Sequence, residues 1–450
     1  MRLTGVRWRS LAACFASVGL SHAHVCPAQT LPPPTISPAV DQSCSTLLAA
    51  PALQKVFADV RADDGRVLQE HRHLSEIPAP PFKEKARANY FVARLKALGL
   101  SDAYIDSVGN AIGLRRGRGN GPTLVFTAHL DTFFPEGTDV RVTQRDGRLY
   151  GPGIGEDARG LAVLLSSLKI LQDNKVRTVG DILFVASVGE EQLGNLRGMR
   201  ALFSSHPEID GMVGLEFSMN KDAELVSIAT ASHRYDVSFS GPGGPSFTGF
   251  GLPSAIHAMG RAIGRISDVR PPVNPRTTFT VGTVGGGTSV NWIASDAHLS
   301  LEVRSNAMSA LMETEKNILA AVAAGVTEEN NRWSNGDVTY QTQLIGDRPA
   351  GQTPSDSVIL QAATKAVTRF EDTPPRLKGA STDGNLPMSL GIPTVVMGNG
   401  GLTGGFHSPN EWFDPENEWV GAQAALATVL ELVGVDGITK PLLVKRAGPK

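Results

Sequence analysis

Apolar positions along this chain follow two rhythms. The runs 124–128 (Leu-Val-Phe-Thr-Ala) and 182–186 (Ile-Leu-Phe-Val-Ala) are continuously apolar, as strands covered on both faces must be. The surrounding pattern predicts helices over 83–98 and 160–172. It also predicts short strands at 103–107, 111–115, 123–128 and 182–187, and a further strand ending at Leu215. From about residue 51 this is an alternating α/β arrangement. Between 232 and 345 the order changes to strand (233–240), helix (254–266), strand (277–284), strand (297–304), helix (307–326), strand (338–344). That β-α-β-β-α-β order is the ferredoxin-like unit. The α/β rhythm then resumes with a helix at 356–369, a strand at 394–397 and a last helix at 418–433. One domain is therefore expected inside another: 51–231 and 346–437 form the larger one, and 232–345 is the insert.

The two ends read differently. Arg2, Arg7 and Arg9 precede an apolar stretch at 11–20, followed by small residues, so 1–28 reads as an export signal. The stretch is too short to cross a bilayer as a stable helix. Cleavage after Ala23 and cleavage after Ala28 both fit, and the mature protein is expected to be secreted or periplasmic. Residues 29–50, rich in Pro and Ser, read as an extended linker. The tail, 438–450, is basic and expected to fray. Cys14 would leave with the signal, so Cys26 and Cys44 allow at most one disulfide. The 450 residues, 41% hydrophobic, suffice for a core without staples. A net charge of −2 with no long single-sign run gives no sign of a nucleic-acid partner, and no stable membrane insertion is expected.

The chemistry lies where apolar strands end. His129 and Asp131 leave the first such strand two positions apart, on one side, so Asp131 is placed to hold the ring nitrogen of His129 that binds no metal. Asp157 sits in Gly151-Pro-Gly-Ile-Gly-Glu-Asp-Ala-Arg-Gly160, a tight glycine turn opening a helix. A dinucleotide loop is excluded because Glu156 stands at the third glycine position. Glu190 and Glu191 follow the second apolar run; adjacent buried carboxylates repel unless cations stand nearby. Glu216 follows a third strand, and His407 lies in a glycine-rich stretch. Two imidazoles (His129, His407) and three carboxylates (Asp157, Glu191, Glu216) suit two zinc ions, with cobalt or manganese possible. Glu190 is then left as general base, and the whole points to hydrolysis.

These stretches resemble the dinuclear-zinc exopeptidase and deacylase family that includes glutamate carboxypeptidase, peptidase T, acetylornithine deacetylase and the aminoacylases. The matching pieces are Ala128-His-Leu-Asp-Thr, the turn around Asp157, Gly189-Glu-Glu, Glu216 and Gly405-Phe-His-Ser. Their gaps are family-like: 28 (157 − 129), 34 (191 − 157) and 25 (216 − 191). The resemblance implies a mixed-sheet α/β catalytic domain with an inserted ferredoxin-like lid. It implies that Asp157 bridges both metals, His129 and Glu216 complete one site, and Glu191 and His407 complete the other. It further implies that Asn291, Arg304 and Arg348 face the substrate, and that the lid supports a homodimer. The substrate would be a small peptide or an N-acyl amino acid, cut at an amide bond next to a free carboxylate.

Two departures stand out. The family's lid segment carries a His that steadies the oxyanion, where this chain has Pro245. Loss of such a donor costs roughly two to three orders of magnitude in rate, and His233 and His257 are the replacements at hand. Arg159 stands where a Lys is usual. A metal-retaining binding protein or degenerate hydrolase is the alternative that Pro245 supports; an intact Glu190 opposes it. A lid-free aminopeptidase is opposed by the 191-position gap (407 − 216) from Glu216 to His407.

Overall fold

The computed structural model describes residues 30–216 and 223–446. The expected signal segment 1–28 lies outside them. At the centre of a ten-stranded mixed sheet, four parallel strands stand side by side in the order Thr394–Gly398, Ile209–Glu216, Thr123–His129 and Asp181–Ser187. Antiparallel Ala111–Arg115 flanks one side of this set and antiparallel Glu224–Ala229 the other.

Side chains of the central strands alternate between two cores, as pleating requires. Leu124, Phe126, Phe184 and Val213 face helices Ala158–Asp173 and Trp419–Val433. Val125, Leu183, Val185 and Met212 face helix Arg197–Ser205 through Met199 and Leu202. With both faces covered, the sheet leaves only its strand ends for chemistry, and four parallel carboxyl ends converge there.

The six elements foreseen between 233 and 344 form in that order. Strands Thr277–Gly286, Asp296–Ser305, Ala231–Ser240 and Thr339–Arg348 make one antiparallel sheet. Helices Ala255–Ser267 and Met308–Arg332 pack on it through Val237, Phe239, Leu299, Ala258 and Val322. The helices cross closely at Gly325, where a Cβ would stand 2.4 Å from the backbone nitrogen of Ala262. The insert enters and leaves the larger domain side by side, since Ser232 pairs with Arg348.

Both end regions differ from expectation. The linker contains a helix, Pro38–Ala49, with Ser37 as its cap and Val40, Cys44 and Leu47 buried along one face. Pro at the first turn and Ser at the cap are helix starters, so the composition that reads as a linker opens a helix instead. Cys44 donates to Glu431 in the last helix at 2.8 Å. The tail does not fray before residue 446. Leu442 and Leu443 donate to the carbonyls of Glu431 and Leu432, and Leu443 is 3% exposed. Among the described residues no helix is long and apolar enough to cross a membrane.

Candidate metal centre

Each central strand delivers one piece of the site. Thr123–His129 ends in His129, and Ile209–Glu216 ends in Glu216. Glu190 and Glu191 follow Asp181–Ser187, and the loop after Thr394–Gly398 carries His407. Three sets of ligand atoms each lie within 4.8 Å of one another: His129, Glu190 and Glu191; His129, Glu156 and Glu216; Glu156, Glu191 and His407. The two outer sets share Glu156. His129 Nε2 is 3.9 Å from Glu216 Oε1, and His407 Nε2 is 3.2 Å from Glu191 and 3.3 Å from Glu156.

This geometry corrects the bridging assignment. Asp157 joins none of these sets among the described residues. One of its oxygens caps helix Ala158–Asp173 through Gly160 N–H and accepts from Asn399; the other accepts from His129 N–H, all at 3.1 Å. Asp157 is thus occupied in holding the helix start and the His129 backbone, and Glu156 takes the place between the two sets. The signal was available in the sequence: Glu156-Asp157 is a second adjacent carboxylate pair, like Glu190-Glu191.

Asp131 also acts otherwise than foreseen. His129 Nδ1 donates to the backbone carbonyl of Asp131 at 2.8 Å, so the backbone fixes the tautomer and leaves Nε2 facing the carboxylates. The Asp131 carboxylate instead accepts three backbone N–H groups, from Gly189 (3.0 Å), Glu190 (3.2 Å) and Glu191 (2.7 Å). It shapes the turn that presents both glutamates. Glu411, which the sequence did not flag, does the same for the other turn, accepting from Gly153, Gly155 and Glu156 at 2.7–3.2 Å. Buried Arg87 ties the carbonyls of Ile77 and Leu130 beneath the cluster.

The electrostatics call for cations. Burial raises Glu216 well above the usual carboxylate range and Glu191 to about 6. Burial opposes charge on His129, yet Glu216, Asp157, Asp131 and Glu190 outweigh it and hold the ring well above its ordinary value. Hydrogen bonds to Glu156 and Glu191 raise His407 to about 10. His129 Nε2 is buried without a hydrogen-bond partner. An orphaned ligand atom among crowded carboxylates is what a cation site offers, and the donor set fits two zinc-like ions.

Of the trio expected to face the substrate, only Arg348 reaches the cluster. Its Nη1 donates to Glu190 Oε1 at 2.7 Å and to Ser381 at 3.1 Å, and Nη2 donates to the Glu190 carbonyl. Arg304 pairs with Glu302 at 2.8 Å, and Glu302 in turn holds Arg234, whose Nη1 donates to the carbonyl of Gln192. Arg234, unflagged in the sequence, is a second guanidinium that ties the insert's sheet to the segment following Glu190-Glu191. Asn291 is exposed and accepts from Ser289 at 2.5 Å, away from the cluster's bonds. Pro245 is exposed and pairs with Trp292, while His233 contacts Glu315 and Asp347, and His257 lies near Glu329.

A mixed sheet whose four parallel central strands end in carboxylates and imidazoles able to hold cations is the arrangement of a metallohydrolase. The model of peptidase family M20/M25/M40 matches residues 125–431, and the chain belongs to that family of dinuclear-zinc exopeptidases. The Bacillus subtilis protein YqjE is 24% identical over 75% of this chain and 91% of its own length. Carboxypeptidase G2 from a Pseudomonas species is 29% identical over 49% of this chain and 54% of its own. Among solved structures, a Staphylococcus aureus tripeptidase superposes with TM-score 0.68 at 22% identity, covering 81% of this chain and 97% of that one. Human carnosine dipeptidase 1 gives 0.68 at 12% identity, over 84% and 99%.

Proposed function

We propose that this chain is an exported di-zinc hydrolase that cleaves an amide bond next to a free carboxylate, in a dipeptide, a C-terminal peptide bond or an N-acyl amino acid. The observation that carries the reading is Glu190, a buried carboxylate that belongs to the middle set alone and is not needed to complete either outer one. Glu156 would lie between two ions, with His129 and Glu216 on one and Glu191 and His407 on the other. Bound there, the ions supply Lewis acidity to the scissile carbonyl and lower the pKa of a nearby water. Glu190 takes the proton of the attacking water at its carboxylate and returns it to the departing amine nitrogen as the C–N bond breaks. Asp131 and Glu411 hold the two turns in register, and all the cluster's side chains but His407 are buried.

Arg348 supports the carboxylate preference, since its planar fork suits carboxylates. Export rests on the basic-then-apolar character of 1–28. A homodimer through the insert is supported by the unpaired outer edge of strand Thr277–Gly286. The test is metal stoichiometry on purified protein together with a panel of dipeptides and N-acyl amino acids assayed with zinc or cobalt. Two ions per chain and turnover of carboxylate-bearing members are expected. Two ions with no turnover of any member would favour a metal-retaining binding protein.

A further inference from the structure

Among the side chains of the cluster, His407 alone is exposed. It sits at the tip of a hairpin made by Leu402–Gly404 and Trp412–Asp414, outside the large sheet, with its backbone in the left-handed region at φ 58°. Its Nε2 faces Glu191 and Glu156. Among the described residues no hydrogen bond reaches its other ring nitrogen, whereas in His129 that nitrogen is fixed by a backbone carbonyl. A metal-binding imidazole is ordinarily oriented through this second nitrogen. His407 is held by its face instead. The ring of Phe133 lies 4.2 Å from it, centroid to centroid, and 14° from parallel.

Phe133 is itself fixed from three sides. Thr132 N–H donates to the Ala79 carbonyl at 3.0 Å, buried Phe134 meets the ring edge-on at 6.2 Å, and Gln192 Nε2 donates to the Phe133 carbonyl. Gln192 directly follows Glu191, so one tether joins the ring over His407 to the segment that presents Glu191. An imidazole turns in a broad torsional well. A flat neighbour at stacking distance fixes its plane, and Glu156 and Glu191 select which nitrogen points inward. The face of a phenyl ring is negative, so the contact strengthens when the imidazole carries charge from a proton or an ion. We propose that Phe133 is a positioning residue for the ion on Glu191 and His407. Its face sets the plane of the His407 ring, and its tether to Gln192 keeps that ring in register with Glu191. This rests on the two-ion reading of the cluster and adds to it.

The test is zinc titration of metal-free protein against a competing chelator, with the wild type, Phe133→Ala, Phe133→Leu and Phe133→Tyr, each checked by thermal melting. Phe133 is 37% exposed, so truncation opens little buried space. Groups that orient a ligating imidazole are worth ~10- to 100-fold in metal affinity. Phe133→Ala is expected to weaken the ion on Glu191 and His407 by ~10-fold or more, and to leave the ion on His129 and Glu216 within about twofold. Phe133→Tyr keeps the flat face and is expected to stay within about threefold of the wild type. Phe133→Leu keeps apolar bulk without the face and is expected to fall with Phe133→Ala. In a His407→Ala background, Phe133→Ala is expected to cost nothing further, because the ring it orients is gone.

Equal weakening of both ions would show that Phe133 supports the fold rather than one ligand. Full affinity in Phe133→Leu would show that bulk suffices without a flat face. Either result overturns the proposal. A second readout uses neither metal nor activity. In proton NMR of the metal-free protein, the His407 Hε1 signal is assigned by its loss in His407→Ala. It is expected upfield of its position in Phe133→Ala, because a proton over a phenyl face is shielded. One and the same position in both proteins would show that the rings do not stack, which also overturns the proposal. A wild type that binds two ions, with Phe133→Ala binding them equally well, refutes only this inference. A wild type that binds no ion refutes the functional reading beneath it and this inference with it.

Discussion

Asp131→Asn separates two accounts of how the site is built. If the carboxylate served the His129 ring, its loss would weaken the ion held by His129 and Glu216. The structure assigns the ring to a backbone carbonyl, which the substitution leaves in place. What changes is the nest of three N–H groups. Oδ1 serves Gly189 and Glu190, and Oδ2 serves Glu191 at 2.7 Å. An asparagine keeps one acceptor for the first pair but turns an NH2 towards Glu191 N–H. One charge-assisted bond is lost, about 1.5–3 kcal/mol, and one buried N–H is left unpaired, about 1–3 kcal/mol. The turn that presents Glu191 therefore loosens by roughly 2.5–6 kcal/mol, and the ion on Glu191 and His407 is expected to weaken first, by ~10- to 100-fold.

The assay is a stepwise metal titration of metal-free protein against a competing chelator. It is run on Asp131→Asn alone and in combination with His129→Ala and with His407→Ala. Non-additivity with His407→Ala and additivity with His129→Ala is the expected pattern, because only groups that share a support couple. The reverse pattern, with the His129–Glu216 ion lost first, would refute the reasoning and restore the ring-orienting role.

Three further outcomes are expected. Glu156→Gln should lower metal content at both positions, whereas Asp157→Asn should keep two ions while costing about 1–3 kcal/mol of stability; elemental analysis with melting curves distinguishes them, and an Asp157→Asn protein that loses both ions would restore Asp157 as the bridge. Burial raises the Glu431 carboxyl from 4.5 to about 8, so the folded chain keeps a proton that the unfolded chain releases and stability drains as pH climbs between those values, levelling off above. Glu431→Gln should then be more stable than the parent above about pH 8, by up to roughly 5 kcal/mol, with the gain vanishing towards pH 4.5; a constant difference across pH in melting curves would count against this. Leu443→Ala should cost about 2–3 kcal/mol by leaving a void under the last helix, and an unchanged melting point would mean that the tail does not pack.

The sequence made the framework readable where local pattern and tertiary role coincide. Strands Thr123–His129 and Asp181–Ser187 are apolar on both faces because the sheet is covered on both, so their ends marked the site without a structure. The insert was legible because each of its six elements keeps its own period. The helix at Pro38–Ala49 was not, because its buried face of Val40, Cys44 and Leu47 is diluted by turn-forming residues and is justified only by the distant helices Val358–Glu371 and Trp419–Val433 against which it lies. Glu156 and Asp157 are neighbours, and which one faces the cluster is decided by the turn's backbone path, which residue type does not reveal. Glu411 and Arg234 lie far along the chain from the turns they support, so no spacing rule could join them. Whether Asp131 serves a ring or three amides depends on ångström-scale placement of Gly189 relative to His129. Adjacency in sequence suggested the ring.

The order of strands in the large sheet has a consequence for how the molecule comes into being. Strand Ile209–Glu216 is synthesised before the insert, and its parallel neighbour Thr394–Gly398, which leads to His407, comes after it. A growing chain can complete and pack the ferredoxin-like cassette while the catalytic half is still missing an imidazole and the helix that seals its core. Such long-range closure is slow. The cation-binding cluster cannot be complete before residue 407 has been made, and a chain stopped short of it carries a finished insert on an unfinished enzyme.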